Sequence, residues 1–197
     1  MKKLNFIIKC GLALLLLSFY SCESWLNVTP SDRLSEEMLF NDREGFVKAL
    51  NGVYIELNTN ELYGRNLTAG ALDVMGQYYS VASSSHAFYN YGGLVYTGND
   101  EKALFDNMWQ KCYAVIACCN TIIEKCDERQ DVLPGVYYGL YKGEALALRA
   151  MLHLDMLRLF GPVYDETSKT AECIPYVTNT DAQISPLLSA EVVLESV

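Results

Sequence analysis

Three long stretches of this chain carry apolar residues at steps of three and four, the spacing that turns one face of a helix toward a core. In the first, Phe46, Leu50, Val53 and Leu57 form one stripe. Asn41 with Glu44 three places on matches a capping box with Asn as the cap. The second runs from about Lys102 to Cys126, where Met108, Cys112, Val115, Cys119, Ile122 and Cys126 alternate steps of four and three. Trp109, Tyr113, Ile116 and Ile123 widen that stripe, so this helix is expected to be deeply packed.

The third stretch, Val136 to Phe160, ends at Gly161-Pro162, a C′ glycine followed by a residue that cannot continue a helix. At 100° per residue its polar side chains fall into two groups. Glu144, Asp155 and Arg158 lie on one side, and Lys142, Arg149 and His153 on the opposite side. Two apolar faces separate them. Such a helix is expected to be sandwiched between neighbours, as an inner helix of a stacked array would be, whereas a surface helix shows a single stripe. The pattern predicts an all-α chain. No clear internal period appears in it.

Between the first and second helices lies a stretch of different character, Gly76 to Gly98. Tyr78, Tyr79, Phe88, Tyr89, Tyr91 and Tyr96 are mixed there with Ser, Gly and Asn, and neither helical nor sustained strand periodicity is present. Rigid amphipathic rings among small polar residues are the composition of adaptable binding loops. Sugars present flat C–H faces ringed by hydroxyls; Tyr rings can cover the faces while Tyr hydroxyls, Asn90 and Asp73 meet the polar edges. The candidate ligand-binding residues are therefore Asp73, Tyr78, Tyr79, Phe88, Tyr89, Asn90, Tyr91 and Tyr96. The plain alternative is that about half of these rings pack the loop onto the helices beneath it or onto a partner protein.

The N-terminus fixes an address. Lys2, Lys3 and Lys9 precede the apolar run Cys10 to Leu17, and Ser21 stands before Cys22. A basic region, a short apolar core and a small residue at the cut make an export signal. That core is too short for a membrane span, which needs about 20 apolar residues. Leu17-Ser18-Phe19-Tyr20-Ser21-Cys22 resembles a bacterial lipobox, with Phe19 in place of the usual leucine. The resemblance implies that Cys22 becomes the lipid-modified first residue of the mature chain.

The residues after Cys22 narrow the family. Trp25-Leu26-Asn27-Val28-Thr29-Pro30 is similar to the mature N-terminus of the SusD/RagB-like lipoproteins of Bacteroidetes. The similarity continues at Ser35 to Phe40, at Ala49-Leu50-Asn51-Gly52-Val53-Tyr54 and at Trp109-x-x-x-Tyr113-x-x-Ile116-x-x-x-Asn120. It closes with Gly143 to Ala150 and Phe160-Gly161-Pro162-Val163. This resemblance implies tetratricopeptide-like stacked helix pairs with long irregular loops. It implies a nutrient-capturing lipoprotein on the outer-membrane surface, working as a lid on a SusC-like TonB-dependent barrel. Oligosaccharide is the ligand it points to first; oligopeptide capture, or a helical scaffold with no small ligand, are the alternatives. No binding residue transfers, because glycan-contacting positions vary within the family. Members are considerably longer than this chain, and Ser189 to Val197 reads as a helix without a stop signal, so a truncated SusD-like domain is expected. The organisation predicted is a signal peptide over 1–21, an acylated tether and extended segment over 22–42, and the first part of a helical domain over 43–197.

Charge and motifs remove other classes. The net charge is −9, and −12 once Lys2, Lys3 and Lys9 leave with the signal. Nucleic-acid binders need clustered Lys and Arg, which are missing here. No Gly-x-Ser-x-Gly, phosphate loop, His-Glu-x-x-His or dinucleotide fingerprint occurs, so no enzyme and no cofactor are expected. Asp73, Asp100 and Glu101 could form a glycosidase pair only if the fold set two of them across one cleft. Cys112, Cys119 and Cys126 stand roughly 10.5 Å apart along one helix at 1.5 Å rise per residue, too far to pair with one another. Without a Cys-x-x-Cys, and with His86 and His153 distant in sequence, they read as small core residues and not as a metal site. Cys173 is left able to pair with Cys118 or Cys126.

Overall fold

A computed structural model of the chain describes residues 36–181 and 184–197. The export signal, Cys22 and the Trp25–Pro30 segment lie outside the described residues. The chain divides into two compact units, Met1–Met38 and Leu39–Val197. The second is mostly helical, with a small strand pair and long irregular loops. In chain order the elements are α1 (Glu36–Leu39), α2 (Arg43–Leu57), α3 (Ala71–Met75), α4 (Tyr89–Gly92), α5 (Asn99–Glu128), α6 (Tyr137–Phe160), β1 (Glu172–Pro175), β2 (Leu187–Ser189) and α7 (Ala190–Ser196).

α2 begins one residue later than its sequence signature indicates. The cap is Asp42, whose Oδ1 accepts the Gly45 N–H at 2.9 Å. Asn41 instead accepts from Arg129 Nη1 at 3.3 Å. Gly45 allows the tight entry, since a Cβ there would overlap the Leu39 carbonyl. The stripe Phe46, Leu50, Val53 and Leu57 is buried as its spacing predicts.

α5 and α6 form an antiparallel pair, joined by a single 3₁₀ turn over Gln130–Val132 and a left-handed Gly135. Asp127 meets Tyr138 and Lys142 at one end; Trp109 packs edge-on to Phe160 at the other, with ring centroids 4.9 Å apart. The seam contains Met108, Cys112, Val115, Ile116, Cys119, Ile122 and Cys126 from α5. Tyr141, Ala145, Leu148, Leu152 and Met156 face them from α6, and α2 packs on α5. Burial pushes the Cys112 and Cys119 thiols up to about 12 and Cys126 to about 11, so all three stay protonated small apolar residues. The five described cysteines are free thiols; Cys173 donates to the Leu188 carbonyl and is not paired with Cys118 or Cys126.

Two expectations change at α6. Its helix stops at Gly161-Pro162, but Gly161 is extended (φ −80°, ψ 167°) and not left-handed. Glycine is needed there because a Cβ would overlap the Leu157 carbonyl. The second apolar face of the helix is only partly covered, with Leu157 buried near its C-terminal end. Val136 (76% exposed) and Leu146, on that face, meet solvent among the described residues. Periodicity reports which faces are apolar; it carries no information on whether a neighbour is there to cover them. The polar groups flanking the buried stripe are paired: Glu144 accepts from Tyr54, Asp155 from Tyr63 and Arg158, and Lys142 binds Asp127.

A further departure from the all-helical pattern is the small antiparallel pair β1–β2, with Ile174 opposite Leu188 and an irregular register between Glu172 and Ile174. The strand after α6 continues as a strap over the α5–α6 seam. Tyr113 donates to the Pro175 carbonyl at 2.9 Å, and Asn120 Nδ2 donates to the Val177 and Asn179 carbonyls at 3.1 Å each. Thr180 donates to Glu124, and Arg149 Nη1 to the Thr178 carbonyl. His153, with no exposure, accepts the Val177 N–H on Nε2 at 3.0 Å and so bonds the Arg149 carbonyl through Nδ1. Burial lowers its pKa to about 4, so the ring is neutral at pH 7.

Candidate ligand cavity

After α2 the chain leaves the helical frame, turns about the buried Leu62 and Leu67 and returns only at α5. Asn66, in an Asn-x-Thr sequence, is buried here with its Oδ1 accepting from Arg65 Nε at 3.1 Å. The Gly76–Gly98 loop beyond it has one deep anchor. Tyr91 is 2% exposed, edge-on to Phe88 and Phe105 at centroid distances of 5.8 and 6.0 Å. Phe105 in turn meets Tyr96 at 5.4 Å and Phe160 at 6.4 Å, so a line of rings ties the loop to the α5–α6 pair. Each such pair contributes on the order of 0.5–1.5 kcal/mol beyond its buried area. Tyr91 and Tyr96 thus pack the loop onto α5 and α6, and Tyr91 also lines a hollow of the loop.

Polar bonds brace the same loop. Tyr79 donates to the Ala69 carbonyl at 2.5 Å, with Asp73 Oδ2 at 3.3 Å. Gln77 Nε2 donates to the Gly92 carbonyl at 2.8 Å, and Asn90 Nδ2 to Glu101 Oε1 at 2.7 Å. That bond from Asn90, aided by backbone N–H, holds the Glu101 carboxyl below its usual range.

Around Phe88 and His86 the loop leaves hollows. One of about 590 Å³ is walled by Phe88, Tyr89, Asn90 and Tyr91, with Arg65, Ser84, Ser85, His86, Asp100 and Glu101 supplying polar groups. A second of about 490 Å³ lies across Phe88 and His86, against Tyr79 and Val81. A third of about 370 Å³ opens between Tyr79, Tyr89 and Asn90. These sizes fall within the range of small-molecule sites. Of the eight residues singled out from composition, Tyr79, Phe88, Tyr89, Asn90 and Tyr91 therefore come together. Tyr78, 80% exposed, lines none of these three hollows, nor do Tyr96 and Asp73.

Arg65 was not legible as a wall residue, since it sits in no motif and comes from a turn more than ten positions upstream; Asp100 stood out only as a possible glycosidase carboxylate. Asp100 and Glu101 do share one hollow, but as adjacent residues of one helix start, not as a pair facing across a cleft. Glu101 is held ionised, the reverse of a glycosidase's proton-donating acid. Among the described residues, no three His, Cys, Asp or Glu side chains are grouped to hold a metal ion.

Comparison with known proteins agrees with the fold. The model of a SusD-like family, described as starch-binding and associating with the outer membrane, matches residues 24–191. The SusD-like protein P2 of Formosa agariphila is 25% identical over 161 residues, which are 82% of this chain and 30% of that protein. The chain thus spans under a third of the length of that curated relative. No solved structure matches it.

Proposed function

The chain belongs to the SusD-like family, and from that membership we propose that it is a surface lipoprotein that captures oligosaccharide in the hollows of the Gly76–Gly98 loop. The observation that carries this reading is the wall of the hollow between Phe88, Tyr89 and Arg65. Aromatic faces at Phe88 and Tyr89 stand beside Asn90, Ser84, Ser85 and Arg65, apolar surface and hydrogen-bonding groups within one hollow of about 590 Å³. A sugar ring offers the same two chemistries, a C–H face and a hydroxyl rim. Acylation at Cys22 would tether the protein to the outer membrane, and a SusC-like TonB-dependent barrel would receive the ligand beneath it.

Affinity electrophoresis in gels containing soluble starch, xylan or mannan tests the capture. Retention by one of these, reduced about tenfold in Phe88→Ala and Tyr89→Ala, is expected, since losing roughly 60 Å² of apolar contact at about 25 cal/mol per Å² weakens binding by about 1.5 kcal/mol. Retention by none of a broad glycan panel, with binding of oligopeptides instead, would replace the ligand class. Palmitate labelling that persists in Cys22→Ala would refute the tether.

A further inference from the structure

We propose that Glu101 and Gln77 are positioning residues that hold the Phe88–Gly93 turn and so set the wall of the ligand cavity. The proposal rests on the glycan reading of that cavity. Neither residue belongs to the aromatic set that composition singles out, and they reach the same turn from different elements.

Glu101 comes from the first turn of α5 and is only 6% exposed. A carboxylate taken out of water is costly unless its hydrogen bonds are replaced. Here Oε1 accepts from Asn90 Nδ2 at 2.7 Å. Oε2 lies so close over Gly98 that any Cβ there would overlap it, so the glycine provides the clearance that lets the carboxylate turn toward the loop. An apolar residue could fill the space at 101 with less desolvation. What the carboxylate adds is direction: with one amide hydrogen committed to it, the plane of the Asn90 side chain is set, and Asn90 lines the hollow beside Phe88 and Tyr89.

Gln77 supports the other end. Its backbone is left-handed (φ 60°), a conformation that non-glycine residues adopt rarely and usually under local constraint. In that conformation its Nε2 reaches the Gly92 carbonyl at 2.8 Å and the Val74 carbonyl at 3.3 Å. The turn is therefore gripped at Asn90 from α5 and at Gly92 from the residues after α3, while Tyr91 between them is buried. Three fixed points in successive residues leave Tyr89 with little freedom to swing.

The test uses the full chain and exchanges donor for acceptor. Asn90→Asp sets two carboxylates against each other; adding Glu101→Gln restores a hydrogen bond in the opposite sense. Amide hydrogen exchange at residues 88–93 is read in the free protein, and retention is read in starch, xylan and mannan gels. The expected result is exchange about tenfold or more faster in Asn90→Asp, as for loss of one charge-assisted bond, with retention lost alongside. Both return to within about twofold of the parent in the double variant, a rescue that a merely bulk role at position 101 would not give. Gln77→Asn, which tolerates the left-handed backbone and draws the amide back by one methylene, is expected to speed exchange at Gly92 and weaken retention. Unchanged exchange in Asn90→Asp, a double variant as loose as the single one, or faster exchange with full retention would each overturn the proposal. Absence of retention by the parent protein in every gel would instead bring down the glycan reading, and the inference with it, before any variant is compared.

Discussion

The α5–α6 pair and the Gly76–Gly98 loop use the same aromatic and small residues to opposite ends. In the pair, side chains interlock along a seam in which Met108, Cys112, Cys119, Leu152 and Met156 have no exposure, and stability comes from apolar area removed from water. In the loop, one ring, Tyr91, is buried, while Tyr78, Tyr79 and Tyr89 remain exposed and the backbone is steadied by single bonds from Gln77, Tyr79 and Glu101. A region stabilised by continuous packing tolerates no hollow. One held at a few points can keep hollows open and still present them in a fixed place.

That contrast predicts where substitutions act. The largest effect belongs to the seam: Leu152→Ala is expected to lower unfolding stability by about 2–5 kcal/mol, the usual cost of emptying a filled core position. Chemical denaturation should show it, with the loop's ligand retention unchanged under native conditions. Next comes acid. In the unfolded chain the His153 imidazole takes up a proton near pH 6.5, but in the folded protein only near 4. Between those values the unfolded state binds more protons, so this contribution is complete above pH 6.5 and declines as pH falls toward 4, by about 3 kcal/mol in all. Replacing His153 with Gln should flatten that part of a stability-against-pH profile. The strap from Pro175 to Thr180 is expected to loosen first, because His153 accepts the Val177 N–H.

The boundary between the two regions gives an intermediate effect. Phe105 joins Tyr91 and Tyr96 to Phe160, so Phe105→Leu should cost roughly 1–2 kcal/mol through lost edge-on contacts. It should also speed amide exchange in the loop more than in α6. The smallest effect is at Tyr78, which stands in solvent: Tyr78→Ala is expected within about 0.5 kcal/mol of the parent in stability and without change in glycan retention. A marked loss at Tyr78 would mean that the ligand lies outside the hollows.

Much of the helical frame was legible because burial repeats every three or four residues. The stripes of Phe46–Leu57 and Met108–Cys126 appear in the structure on buried faces, and the boundaries of α5 and α6 differ from expectation by three residues or fewer. The cap at Asp42 was misread because Asn41 and Asp42 are adjacent cap formers, and only the geometry of Gly45 decides between them. Strands β1 and β2 were missed: four and three residues are too short to show a period of two, and their pairing joins positions more than ten residues apart. In the loop, composition located the region but could not sort its rings. Tyr89 and Tyr91 are two positions apart in the same short sequence and both line one hollow, yet one is an exposed ring and the other a buried anchor. That distinction depends on Phe105 and Phe160, which come from other elements.

If the loop's hollows, and not its solvent-facing tyrosines, take the ligand, then Tyr89 and Tyr78 must differ in their effect on binding. Titration calorimetry with the glycan best retained in the gels, comparing Tyr89→Ala with Tyr78→Ala, measures that difference. Affinity is expected to be about tenfold weaker for Tyr89→Ala, the loss of roughly 60 Å² of apolar contact, and unchanged for Tyr78→Ala. Equal affinity for the parent and Tyr89→Ala, or loss confined to Tyr78→Ala, would place the ligand elsewhere and contradict the assignment of the hollows.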